Sequence, residues 1–417
     1  MRHKLRNLLS RLMYIGPLFG LWLRWKSDKQ TREYHHVLLS AVNRDSAAVS
    51  AAESWKGEGD GKSPGTRGMM DASAAGTAAL RFVPLPNLGS DHLRKLLFIC
   101  DNMWEERELL PELRKICEVT FVDVHPNVER PGGAPFEKLA HAPVEARLTE
   151  AAQEKFDAAI VYLRSTLLTP ELVGLIKHMW RCPVIGLNLD CKTTFKNYNV
   201  FRGAPVNYRA RAGLFDCNLT NARAMLDVYA AAGLPAVYLP TGYHYDPAAQ
   251  KPPTEAKFEI PFSFVGSWKP EREELIEKLC RIGIPIQVFG GGWNGAPFMR
   301  DAWRIYQRSQ LNLGIGYNVP AARFTNLKNR DFECPGSGGC YLTTFDWELA
   351  GLFDIGKEIL CYRSTDDLVE LYTYYIRRPE ECLRIAKAGF ERCMQEHTWE
   401  QRFRRAFEQL GFKLASL

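Results

Sequence analysis

The chain has 417 residues, 46% of them hydrophobic, which is enough material for two domains with separate cores. Charged residues make up 24%, so the composition excludes a disordered or fibrous protein. The formal charge of +6 lies entirely in residues 1–33, where Arg2, Lys4, Arg6, Arg11, Arg24, Lys26, Lys29 and Arg32 oppose only Asp28 and Glu33. The other 46 basic and 46 acidic residues cancel and leave no excess for a nucleic-acid-binding surface.

Residues 1–44 form a basic, amphipathic segment. Its longest uncharged stretch, Leu12 to Leu23, is about half of what a spanning helix needs and contains Gly16, Pro17 and Gly20. A transmembrane span is therefore not expected. One reading places Phe19, Trp22 and Trp25 in a lipid headgroup layer with Arg and Lys facing anionic lipid, a peripheral contact at the inner face of the cytoplasmic membrane. The other packs this helix on the protein's own body. Residues 45–92 read as a flexible linker: over Asp45–Leu80, Ala, Gly and Ser exceed half of the residues and hydrophobic periodicity is lost.

The body begins near Leu93 with an apolar run, KLLFIC (Lys95–Cys100), and a helical pattern over Glu105–Ile116. Strand-like runs follow at Val119–Val124, Ala158–Leu163, Pro183–Leu189, Leu214–Thr220 and AVYLP to Pro240, with helices near Pro170–Trp180 and Asn221–Gly233. A polar stretch, Asp246–Glu259, interrupts the series. The pattern then restarts with PFSFVG, a helix at Pro270–Arg281, PIQVFG, a helix near Phe298–Arg308, LNLGIG, a helix near Asn326–Cys334, CYLTTF and EILCY. Strands apolar on both faces and joined by helices indicate parallel sheets. The expectation is α/β architecture with two Rossmann-like units, 93–248 and 249–417, facing across a cleft.

The eleven cysteines show no CxxC pair and read as free thiols of a reducing, cytoplasmic compartment. The nine histidines lack the paired spacing of a zinc site, so no metal is expected.

Three Gly-bearing loops stand out. In FVGSWKPEREEL, Gly266 and Ser267 follow a strand and precede a helix, and Lys269 and Arg272 offer charge to a phosphate. The loop is neither GxGxxG nor GxxxxGK[ST], so a redox dinucleotide or P-loop chemistry is unsupported and no cofactor is expected. In QVFGGGWNG, the glycines around Gly290 suggest close backbone approach to a flat ligand, or simply a flexible turn. In RFTNLKNRDFECPGSGGCYLTT, a helix start near Thr325 and Asn326 would present N–H groups to a phosphate. Glu333 further on could accept two hydrogen bonds from a vicinal diol such as ribose, or pair with Arg330 on a helix surface.

Six segments, FSFVGSW, QVFGGGW, SQLNLGIG, NRDFECPGSGGCYLTT, GKEILCYRSTDDL and GFERCMQEHTWEQRF, follow one another over about Pro261–Phe403. In order and spacing this half resembles the CgeB-type (spore-maturation-protein-like) glycosyltransferases of the GT-B superfamily. GLNLD, LFDCNLTNARAMLDVYAAAGL and YLPTGYHYD carry a weaker match earlier in the chain. The resemblance implies a nucleotide-sugar substrate held mainly by the second unit and an acceptor held by the first, without a metal. Related transferases carry Glu-x7-Glu in this loop, the second Glu holding the donor ribose. Glu333 matches that position, while Thr325 stands where the first Glu would be and leaves the stereochemistry open.

The implied donor site comprises Gly266, Ser267, Lys269, Gly290, Thr325, Asn326, Arg330, Glu333, Gly338 and Gly339, with Lys269 and Arg330 favoured for the diphosphate over Arg323 and Lys328. Asp190, at the carboxyl end of a strand, is the leading catalytic base, with capping as its plainer role. His244 is the second candidate, touching substrate or serving as a hydrogen-bonded hinge. His397, Arg402 and Asp216 are read as structural. The acceptor is read as a saccharide, lipid-linked or at a surface. A catalytically degenerate GT-B module that binds a sugar nucleotide or partner without turnover is the alternative.

Overall fold

The computed structural model describes residues 83–89, 92–101, 104–124, 148–149, 151–163, 168–195, 199–201, 204–206, 208–248, 250–297, 301–316 and 326–414. The anchor expected in residues 1–33 and most of the expected linker lie outside the described residues.

The first sheet begins with β1 (Lys95–Cys100) and the short helices α1 (Glu105–Glu108) and α2 (Leu110–Leu113). One helix was expected here, but Pro111 lacks an N–H and its ring crowds the preceding turn, so the helix breaks at Leu109. Then come β2 (Glu118–Asp123), β3 (Ala158–Tyr162), α3 (Pro170–Trp180), β4 (Val184–Asn188) and α4 (Cys191–Thr194). A small antiparallel pair, β5 (Asn199–Phe201) and β6 (Ala204–Val206), precedes α5 (Arg209–Ala212), β7 (Cys217–Thr220), α6 (Met225–Ala231) and β8 (Ala236–Tyr238). The strand order is β2-β1-β3-β4-β7-β8, with every pair parallel. Asp216 anchors the entry to β7: it accepts the Val184 N–H at 2.7 Å and pairs with Lys177 at 2.8 Å. Helix α6 is followed by Gly233, whose φ of 71° supplies the left-handed residue that stops it.

The second sheet contains β9 (Ile260–Val265), α7 (Pro270–Arg281), β10 (Gln287–Phe289), α8 (Trp303–Arg308) and β11 (Ser309–Leu313). It continues through α9 (Arg330–Gly336), β12 (Tyr341–Thr344), α10 (Trp347–Ala350) and β13 (Leu360–Tyr362). Its order, β10-β9-β11-β12-β13, is again all parallel. Strand order reverses between β9 and β11, and ligands of open parallel sheets gather at the carboxyl ends of such a pair. Three helices end the chain: α11 (Thr365–Tyr375), α12 (Pro379–Glu396) and α13 (Trp399–Gln409).

Each sheet has its own apolar core. Phe262, Phe264, Leu311, Leu313 and Leu342 bury in the second, with Ile385 and Ala386 of α12 covering one face. Although last in the chain, α13 buries Trp399, Phe403 and Phe407 in the core of the first sheet beside Leu96, Phe98 and Leu219. The segment ahead of β1 joins it there, with the Leu88 N–H donating to the Leu410 carbonyl at 2.8 Å.

His397 and Arg402 hold the turn from α12 into α13. Arg402 donates to His397 Nδ1 at 2.8 Å, which leaves the proton on Nε2 to meet the Leu352 carbonyl at 2.9 Å. Burial and the neighbouring Arg402 depress the His397 pKa to about 3, so the ring is neutral. All eleven cysteines are free and eight are buried. Among the described residues, no helix is long and apolar enough to cross a membrane.

Candidate functional site

The carboxyl end of β9 carries four cations. Phe264 lies under two of them, with the Arg330 and Arg272 guanidinium groups 4.9 and 5.6 Å from its ring centroid. Arg330 donates to the Val265 carbonyl, and Arg272 donates to the Ser267 carbonyl at 2.7 Å and to its hydroxyl at 3.3 Å. Gly266 lies between them because a Cβ there would stand 2.7 Å from Arg330 Nη1 and 3.3 Å from Arg272 Nη1. The space that this glycine leaves is filled by the protein's own guanidinium. Lys269 precedes α7, and Lys328 stands in the loop before α9.

These groups feel one another. Burial lowers the Lys269 pKa, aided by Arg272 and Arg330. Burial also brings Lys328 down to about 8, with Lys269 and Arg272 pushing the same way and Asp190 opposing them. Arg272 falls to about 10 through burial and the charge on Arg330. The Nε atoms of both arginines are buried without a hydrogen-bond acceptor. Two buried arginines beside two half-buried lysines make a group of like charges suited to an anion carrying several oxygens.

The loops after β9 and β10 interlock. Gly290 has φ 129°, and a Cβ there would stand 2.4 Å from the Gly266 carbonyl oxygen. The close approach expected at Gly290 is thus made to backbone, and Trp293 Nε1 also donates to the Gly266 carbonyl at 2.8 Å.

Helix α9 begins at Arg330, four residues later than the expected Asn326, because the Asp331 carboxylate reaches back to the Lys328 N–H at 2.6 Å and closes a turn first. Glu333 therefore sits in the first turn of α9. Tyr306 of α8 donates to Glu333 Oε2 at 3.3 Å. Burial, then the charge of Glu108 from α1, raises the Glu333 pKa to about 7. Gly338 and Gly339 pack inward, the first against Pro253 and the second against Cys334 and Asn312. Thr325, like Arg323, lies outside the described residues.

The segments that follow β4 and β12 meet in this region. Asp190, which follows β4, is exposed. Its Oδ1 lies 3.8 Å from Lys328 Nζ and 3.4 Å from Asn326 Nδ2. Two residues on, buried Lys192 pairs with Glu348 at 2.9 Å and approaches Asp346 at 3.9 Å. The structure brings Asp190 together with Asn326, Lys328 and the cation group; it does not bring His244 into that contact set. His244 Nδ1 is 2.8 Å from Glu112 Oε1, and the His244 backbone N–H donates to Glu108 Oε2 at 3.3 Å. Burial works against the Glu112 charge, but hydrogen bonds from His244 and Lys115 outweigh it and hold this carboxyl below its usual range. Among the described residues, no three His, Cys, Asp or Glu side chains are placed to hold a metal ion.

In the sequence Lys328 ranks below Lys269 and Arg330 for the diphosphate and Arg272 is offered only beside Lys269 in its loop, yet the four lie close enough to shift one another. The third position of α7 points Arg272 back at the loop, a signal available from the helix start. Tyr306, Glu108 and the Lys192–Glu348 pair went unread because they join distant segments.

Residues 271–408 match a family model described as glycosyl transferase-like. The sucrose-phosphate synthase of Thermosynechococcus elongatus superposes with a TM-score of 0.50 at 12% identity, covering 76% of this chain and 99% of that one. The architecture is GT-B. Two further solved structures have TM-scores of 0.49: AviGT4, a glycosyltransferase involved in avilamycin A biosynthesis, and Anabaena HepE, solved with UDP-glucose. AviGT4 is 15% identical over 76% of this chain and 97% of its own, and HepE 12% over 76% and 99%. No curated protein sequence matches the chain.

Proposed function

We propose that this GT-B protein is a glycosyltransferase of the CgeB type that moves a sugar from a nucleoside diphosphate donor to a saccharide acceptor. The observation that carries this reading is the convergence of Lys269, Arg272, Lys328 and Arg330 at the β9 switch point. A diphosphate would bring oxygen acceptors to this group of like charges. The glycosyl transferase-like match over 271–408 spans three of the cations and Glu333. Glu333, with Tyr306 steadying one oxygen, would take the ribose diol.

In the transfer, the bond from the sugar's anomeric carbon to the diphosphate oxygen breaks, and its electron pair leaves on the diphosphate. The acceptor oxygen bonds to that carbon and gives its proton to Asp190. Fixed cations around the departing diphosphate stabilise charge that grows in the transition state. The basic start at residues 1–33 supports an acceptor presented at a membrane surface.

Calorimetric titration of the full chain with UDP, GDP, UDP-glucose and UDP-GlcNAc tests the reading, with Glu333→Ala alongside. One nucleotide should bind, and the variant should weaken it more than tenfold, as expected for a charged hydrogen bond of about 2 kcal/mol. Binding of none of the four, or indifference to Glu333→Ala, would count against it.

A further inference from the structure

Among the described residues, Lys328 is the one member of the cation group in an ion pair with a carboxylate at the carboxyl end of a strand of the first sheet. Asp190 Oδ1 lies 3.8 Å from its Nζ, and Asn326 Nδ2 shares the same oxygen at 3.4 Å. The two partners differ in setting. The Lys328 side chain is 22% exposed, while Asp190 is 58% exposed and has water as an alternative. An exposed carboxylate at 3.8 Å is a weak partner for a half-buried ammonium, and a diphosphate oxygen held by Arg272 and Arg330 would be a stronger one.

We infer that Lys328 changes partner when donor binds, turning from Asp190 to the diphosphate, so that Asp190 and the donor compete for one ammonium group. This inference rests on the proposed donor site and adds an order to it: donor first, with the Asp190 carboxylate loosened toward the acceptor only once the diphosphate is in place. The depressed Lys328 pKa accords with it: burial first, then the charges of Lys269 and Arg272, burden this ammonium, and an incoming anion relieves the group.

The competition has a signature that a structural role lacks: removing the carboxylate should improve donor binding. In full-length protein, Asp190→Asn should tighten UDP by about three- to tenfold, and UMP much less, because UMP brings one phosphate and less charge to the contested ammonium. Lys328→Met should weaken UDP by about tenfold. Adding Asp190→Asn to Lys328→Met should then give no gain, since the contested group is gone. Asp190→Asn keeps an oxygen for Asn326 Nδ2 and gives up an ion pair with a largely exposed carboxylate, so the shift in urea midpoint should be small.

If UDP binds the wild type and Asp190→Asn leaves it unchanged or weaker, the exchange is wrong while the donor site stands. The exchange is equally wrong if the gain persists without Lys328, or is equal for UMP. Absence of UDP, GDP and inorganic pyrophosphate binding to the wild type would remove the donor site and the exchange together.

Discussion

Gly266 shows how one missing side chain organises the cations. Its carbonyl accepts from Trp293, and its α-carbon faces Arg330 and Arg272 with no room for a methyl group. Gly266→Ala should therefore displace Arg330 and weaken nucleotide binding at least tenfold, read by the same calorimetry, with a smaller effect on thermal stability. Glu333 gives a pH dependence whose sign is set by its raised pKa. The folded state holds this proton more tightly than the unfolded chain. Protonated Glu333 therefore favours folding, and that gain is lost as pH rises from the ordinary glutamate value of about 4.3 to about 7. Glu333→Gln should flatten the fall in urea midpoint across this window while abolishing the charged acceptor for a ribose. Gly266 and Glu333 were both legible as candidates from loop chemistry and family resemblance. What a linear reading cannot supply is the neighbour that sets each one's behaviour: Arg330, 64 positions after Gly266, or Glu108 of α1 facing Glu333.

At the scale of elements, the alternation of apolar runs and amphipathic helices carried most of the fold, because each parallel strand is buried on both faces and must read as continuous hydrophobic sequence. Pro270–Arg281 was placed end to end, with Pro at its first turn and acids following. The failures have local causes. Pro111 divides α1 from α2, the Asp331 side chain delays α9, and among the described residues β5 and β6 pair with each other alone. The return of α13 to the first sheet was not legible, since its strong apolar face does not say which core it enters. Its start is fixed by a capping box, Thr398 accepting the Gln401 N–H at 3.3 Å and the Gln401 side chain accepting the Thr398 N–H at 3.0 Å. The Trp399 N–H also donates to the Tyr243 carbonyl at 3.1 Å. Thr398→Ala should cost about 1 kcal/mol in urea unfolding, and Thr398→Ser much less.

At the scale of the molecule, the segments after β4 and β12 are joined by charges removed from water. Lys192, Glu348 and Asp346 expose under a tenth of their side chains. Burial disfavours the Lys192 charge, yet Glu348 and Asp346 outweigh it and raise the pKa, so the ammonium persists. Lys192→Met leaves Glu348 buried opposite a methyl group and should cost about 3–5 kcal/mol in urea unfolding. Lys192→Met with Glu348→Met should lose less than the single change, as a buried pair replaced by apolar groups of similar size usually does. The same region joins Asp190 to Lys328, so the proposed donor site and the proposed base belong to one contact network. Everything proposed for the site depends on the cation group at β9 holding a diphosphate, and a crystal structure of the full chain grown with UDP would decide it. The β-phosphate oxygens should lie within hydrogen-bond distance of Arg272, Lys328 and Arg330, with the ribose hydroxyls on Glu333. UDP bound elsewhere, with Arg330 and Arg272 untouched, would contradict it.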